Sequence, residues 1–213
     1  IADIISQYTA LTGRCPLPQL WTLGYHQSRW GYSSQQEVLD LAQNFIDNDL
    51  PCDVIHMDID YMDNYKVFTV DKNRFPDLTA LSDVLHQKGI RLVTIIDPGT
   101  KVENGYHMYE EGIKNNYFAQ TPDGEVYENV VWPGDSVFPD YTSSIVRNWW
   151  GSQTKFLLDQ GISGIWNDMN EPASFRGPLP DDVVFPGDDM PRQHKEVHNV
   201  FGHLMAKATY EGI

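Results

Sequence analysis

Aspartates stand where apolar, strand-like runs give out, and carboxylates in such places can do several kinds of chemistry. Asp58 and Asp60 follow Val54-Ile55-His56-Met57, Asp97 closes the run Ile90–Ile96, and Asp168 follows Gly164-Ile165-Trp166-Asn167. The tripeptide Asp58-Ile59-Asp60 could hold a divalent cation, as the paired acids of metal-dependent glycosyltransferases do, or accept hydrogen bonds from sugar hydroxyls. Asp-x-Asp occurs often by chance, so both readings stay open. Trp166 precedes Asp168 by two residues, which in a strand puts both side chains on one face. An aromatic face beside a carboxylate suits a pyranose, whose CH face stacks while its hydroxyls donate. The plainer alternative is that Asp168 caps the next turn and Trp166 is core. Cleaving a glycosidic bond takes two carboxyl groups, one to protonate the leaving oxygen and one to attack or to activate water. Glu171 is the acid nearest to Asp168 in sequence, and three residues beyond a strand end it reads as a supporting hydrogen-bonding group. Asp97 is grouped with it as a support.

Elements that could carry these acids to one place alternate along the chain. Strand-like runs at Leu20–Tyr25, Cys52–Ile59, Ile90–Ile96 and Gly164–Asn167 are each followed by a helical pattern. The helices are marked by Val38, Leu41, Ala42 and Phe45 after a Ser33-Ser34 cap signal, by Leu78, Leu81, Val84 and Leu85 before Gly89, by Ser144–Leu158, and by about 197–210. Strands alternating with helices imply a parallel sheet covered by helices, hence an α/β fold. No glycine-rich loop follows the first strand, which disfavours a nucleotide-binding sheet, whereas acids at the ends of successive strands suit a (β/α)8 barrel. A barrel needs about 250 residues. The expectation is therefore the first half of a TIM barrel over residues 1–213, with a small β excursion around 116–140 and flanking β domains and the second barrel half outside this chain. The acid-rich stretch from Arg176 to Arg192 reads as a solvated surface loop.

Composition narrows the partners. The 213 residues carry 15 Lys plus Arg against 30 Asp plus Glu, a formal charge of −15, which repels phosphate backbones and anionic lipid. Nucleic acid and membrane are excluded as partners, and a neutral ligand fits. Cys15 and Cys52 make neither a disulfide framework nor a zinc cluster and read as free buried thiols. The seven histidines, His26, His56 and His107 among them, are too scattered to define a metal site. The start, Ile1-Ala2-Asp3-Ile4-Ile5, is not a basic-headed signal peptide, so it gives no compartment; a bacterial source would imply the cytoplasm.

Several segments together resemble glycoside hydrolase family thirty-one, the retaining α-glucosidases. Trp166-Asn167-Asp168-Met169-Asn170-Glu171-Pro172 is similar to that family's nucleophile signature. Leu23–Tyr32, Asp58-Ile59-Asp60-Tyr61-Met62-Asp63, Ile96-Asp97-Pro98-Gly99, Val131-Trp132-Pro133-Gly134 and Val197–Gly202 agree with it in order and spacing. The resemblance implies that Asp168 is the nucleophile of a double displacement, and that Asp58 and Ile59 line the subsite for the non-reducing sugar. It further implies that Ile95, Trp132, Trp166 and Met169 form the pocket's apolar walls, and that Trp30 is an aromatic near its entrance.

The implied activity is exo-acting release of glucose from α-glucosides, with an α-linked oligosaccharide or glucoside as substrate and no metal or organic cofactor. In the family the general acid/base belongs to the second barrel half, so it is expected beyond Ile213, and the remainder of the polypeptide is the implied partner. The fragment alone would then turn over little. The alternatives are another α-glycosidase of the family, such as an α-xylosidase, a transglycosylase, or a non-catalytic sugar-binding half-barrel.

Overall fold

The computed structural model describes residues 1 to 213. Along the chain run α1 (Ala2–Thr12), β1 (His26–Ser28), α2 (Gln35–Asp47), β2 (Val54–Met57), α3 (Leu78–Gln87), β3 (Arg91–Ile96), β4 (Thr100–Lys101) and α4 (His107–Asn115). They are followed by β5 (Glu128–Val131), β6 (Gly134–Val137), α5 (Ser144–Leu158), β7 (Gly164–Asn167), β8 (Val184–Phe185), β9 (Arg192–Gln193) and α6 (His194–Gly212). The central sheet is parallel throughout, in the order β1-β2-β3-β7, with a helix in every crossover. Five of the six residues of β3 are buried, the near-continuous apolar run that a strand covered on both faces requires.

Local chemistry sets the helix boundaries. Ser34 caps α2 by accepting from the Glu37 amide at 3.2 Å, and the Glu37 carboxylate answers by accepting from the Ser33 amide at 2.7 Å. Asp77 caps α3 through the Ala80 amide at 2.8 Å, and Leu78, Leu81 and Leu85 then face the sheet. α5 and α6 approach closely because Gly151 has no side chain: a Cβ there would lie 2.6 Å from the Ala208 carbonyl oxygen. Trp150, Tyr61, Tyr141 and Phe68 are the largest wholly buried side chains and centre the core.

The strand expected at Leu20–Tyr25 is a 3-10 turn over Leu20–Leu23, and the strand itself is the polar His26-Gln27-Ser28. The chain must pass close to Asp53 there: a Cβ on Gly24 would collide with its carboxylate, which accepts from the Tyr25 amide at 2.9 Å. The first helix, α1, and α4 were not among the expected elements, and the last helix is longer than expected, beginning in a reciprocal cap between Gln193 and Glu196. The β excursion starts before residue 116, because β4 joins β6 and β5 in an antiparallel sheet. Arg176–Arg192 is not a plain solvated loop either. Its β8 pairs with β9, Leu179, Val183 and Phe185 are buried, and Asp188 reaches back to accept from the Ser144 amide at 2.8 Å, capping α5. Both cysteines are free, but neither is fully buried: Cys15 is exposed and Cys52 half-buried.

Candidate active site

Strand register gathers the acids. Ile96 pairs with Asn167, so Asp97 and Asp168 leave neighbouring parallel strands at the same level, and the Asp168 amide donates to the Ile96 carbonyl at 3.2 Å. Met57 pairs with Thr94, which sets Asp58 beside Ile95, on the other flank of β3. Three carboxylates thus share the C-terminal edge of the sheet, where barrel enzymes keep their chemistry. Burial raises the Asp58 carboxyl above its usual range, with Asp168 and Asp60 adding to it, although the Ile59 amide donates to its Oδ1 at 2.7 Å. Asp97 is 6% exposed, and its Oδ1 is buried with no hydrogen-bond partner. Burial first, then the charges of Asp168, Asp58 and Glu171, push its carboxyl up to about 7. Asp60 turns elsewhere, to Arg74 and the Tyr65 hydroxyl, each at 3.4 Å, so it does not form a cation clamp with Asp58.

The turn after β7 aims Asp168. Met169 is held in the left-handed region at φ 55°, a strained conformation for a residue with a side chain, and the Ala173 amide closes the turn on the Met169 carbonyl at 3.0 Å. Two contacts with α6 fix it from behind. The Thr209 hydroxyl donates to Asn167 Oδ1 at 2.8 Å, and Gly202 lets the turn lie so close that a Cβ would sit 2.7 Å from the Asn170 carbonyl oxygen. Farther on, the Phe175 amide donates to Val130 at 2.8 Å and lays this segment on β5.

An aromatic rim results. The Trp132 ring lies 5.5 Å from that of Trp30 and 4.8 Å from that of Phe175, so three separate loops meet in one surface. Trp30 is 68% and Phe175 50% exposed, unlike core aromatics. Phe175 was not among the expected site residues, although a lone aromatic in a polar loop is a readable signal. Trp166 and Met169 are partly exposed, whereas Ile59 and Ile95 are buried and back the site from beneath; Tyr61 fastens Ile95 by donating to its carbonyl at 2.7 Å. Glu171 is exposed, and it acts on Asp97 through charge. Two of the histidines are not isolated: His26 Nδ1 and His56 Nε2 lie 3.0 Å apart on the same sheet face, with Trp166 edge-on to His56.

Parallel strands in sequence order, helices in the crossovers and acids at the carboxyl edge define a (β/α)-barrel architecture of the kind used by hydrolases. The chain belongs to glycosyl hydrolases family 31, whose TIM-barrel domain it matches over residues 15–213, and it corresponds to the N-terminal part of that barrel. It is 53% identical to Alpha-glucosidase 2 of Bacillus thermoamyloliquefaciens over 99% of its own length and 27% of the relative's. A DNJ-bound glucosidase II alpha subunit superposes with a TM-score of 0.91 at 39% identity, covering 99% of this chain and 23% of that one. A Flavobacterium johnsoniae GH31 dextranase complexed with glucose gives 0.89 at 28% identity, covering 98% of this chain and 26% of that one. The chain spans about a quarter of the length of these relatives.

Proposed function

We propose that the polypeptide carrying this chain is a retaining, exo-acting α-glucosidase with Asp168 as its nucleophile. The observation that carries this reading is the register that places Asp168 at the carboxyl edge of the sheet, flanked by Asp97, with Asp58 one strand beyond. In the first step the Asp168 carboxylate attacks the anomeric carbon, the glycosidic bond breaks, and the leaving oxygen takes a proton from a general acid. We assign that acid to the remainder of the polypeptide, because the chain spans only 27% of the α-glucosidase that it matches at 53% identity. Water then attacks the β-glycosyl ester, gives its proton to the same group, and releases α-glucose and the free carboxylate. The anion of Asp168 stabilises the oxocarbenium-like charge in both transition states.

Asp58 takes the outer hydroxyls of the non-reducing sugar, and Trp166 and Met169 wall the pocket over buried Ile59 and Ile95. Trp30, Trp132 and Phe175 stack against the substrate as it enters. A different α-glycosidase specificity is the second reading, supported by the dextranase match, though 28% identity supports it less than 53% supports α-glucosidase. Asp168→Asn in the full polypeptide should lower glucose release by about 10^4-fold. Unchanged release would remove Asp168 from the mechanism, and a loss on adding a chelator would favour the metal-dependent transferase that Asp58 and Asp60 first suggested.

A further inference from the structure

Three carboxylates crowd the same sheet edge, yet they are not equivalently held. Asp58 receives the amide of the residue that follows it, at 2.7 Å. Asp97 is followed by Pro98, which has no N–H to give, and its Oδ1 is buried with no donor at all. The ionisable groups that face Asp97 are Asp168 from the end of β7, Asp58 from the end of β2, Glu171 from the loop beyond Asp168, Tyr61 from the turn after Asp58 and Tyr141 from the segment before α5. None is a cation. Tyr61 already donates its hydroxyl to Ile95, and the buried hydroxyl of Tyr141 has no partner. Adjacent parallel strands lie about 4.8 Å apart, so Asp97 and Asp168, each one residue past the paired Ile96 and Asn167, stand level as neighbours across the two strands. Two carboxylates placed so, one of them buried, oppose each other's ionisation.

We propose that Asp97 is a positioning residue that holds a proton and presents it to the nucleophile. Asp97 then orients the attacking carboxylate by donating to it, as a neutral acid can where a second anion could not. The role rests on Asp168 being the nucleophile. It also explains a free buried oxygen at the site, because a protonated carboxyl needs fewer donors than a carboxylate.

The test compares Asp97→Asn with Asp97→Leu in the full polypeptide, using α-glucosyl fluoride, whose leaving group needs little protonation. The amide of Asp97→Asn is neutral at every pH and can still donate, so kcat/KM below pH 6 should stay within about threefold of the parent. The parent should lose activity as pH rises through about 7 and Asp97 ionises beside Asp168, and Asp97→Asn should not. Asp97→Leu has no donor and should lose about tenfold to a hundredfold in kcat with little change in KM. An Asp97→Asn enzyme impaired as deeply as Asp97→Leu, or one that keeps the parent's descent near pH 7, overturns the proposal. The asparagine profile decides the matter by itself if the leucine variant does not fold. Asp168→Asn, assayed alongside, separates the two levels: activity retained there means that the nucleophile is misassigned, whatever Asp97 does.

Discussion

Replacing Asp97 with asparagine should also change stability, with a sign fixed by the burial of its carboxyl. In the unfolded chain an aspartate titrates near 4, while burial and neighbouring acids push Asp97 up to about 7 in the folded one. The folded state therefore binds a proton that the unfolded state has lost, and stability falls as pH rises between those two values. Moving a carboxyl from 3.8 to about 7 corresponds to about 4 kcal/mol, an upper bound that structural relaxation would reduce. Asparagine occupies the same volume and does not titrate. Relative to the parent, Asp97→Asn should be close to neutral at pH 4 and stabilising by up to about 4 kcal/mol above pH 7, read as a Tm difference that widens with pH. The assay is the thermal unfolding of the full polypeptide, followed by tryptophan fluorescence at pH 4.5, 6 and 8. A Tm difference that does not grow with pH, or that becomes destabilising at pH 8, would refute the reasoning.

Phe175→Ala should raise KM for an α-linked disaccharide about threefold to tenfold and change turnover of α-glucosyl fluoride less, since one aromatic contact is worth about 1 kcal/mol. Gly202→Ala pushes a Cβ against the Asn170 carbonyl and displaces the turn that aims Asp168; kcat should fall about tenfold or more while Tm moves by only a few degrees. Asp188→Ala removes the carboxylate that caps α5 across the fold and should lower stability by about 1 kcal/mol with KM unchanged, read from Tm and steady-state kinetics.

β3 was legible because its apolar run is nearly continuous and buried from Leu92 to Ile96, and β7, half-buried along its length, was marked by Ile165 and Trp166 ahead of Asp168. β1 was misplaced for the opposite reason. Its residues His26-Gln27-Ser28 are polar, with His26 and Ser28 on the side of His56 and Trp166, while the apolar Leu20–Leu23 beside them are drawn into a turn with Leu20 and Leu23 left exposed. α1 carried a readable stripe in Ile4, Ile5, Tyr8 and Leu11, but its apolar face meets nothing within the chain, so burial did not point to it. At the site, Asp58, Asp97 and Asp168 could be picked out singly from the strand ends. Their side-by-side placement could not, because register between distant strands is set by the whole core and not by local pattern. The same holds for His26 against His56 and for Asp188 over α5, contacts between segments far apart in sequence.

The central claim, a covalent glycosyl ester on Asp168, is tested most directly by trapping. The full polypeptide would be inactivated with 5-fluoro-α-glucosyl fluoride, digested, and its labelled peptide sequenced by mass spectrometry. The sugar is expected on Asp168, within the peptide that contains Trp166-Asn167-Asp168-Met169. A label on Asp58, Asp97 or any other residue would contradict the account.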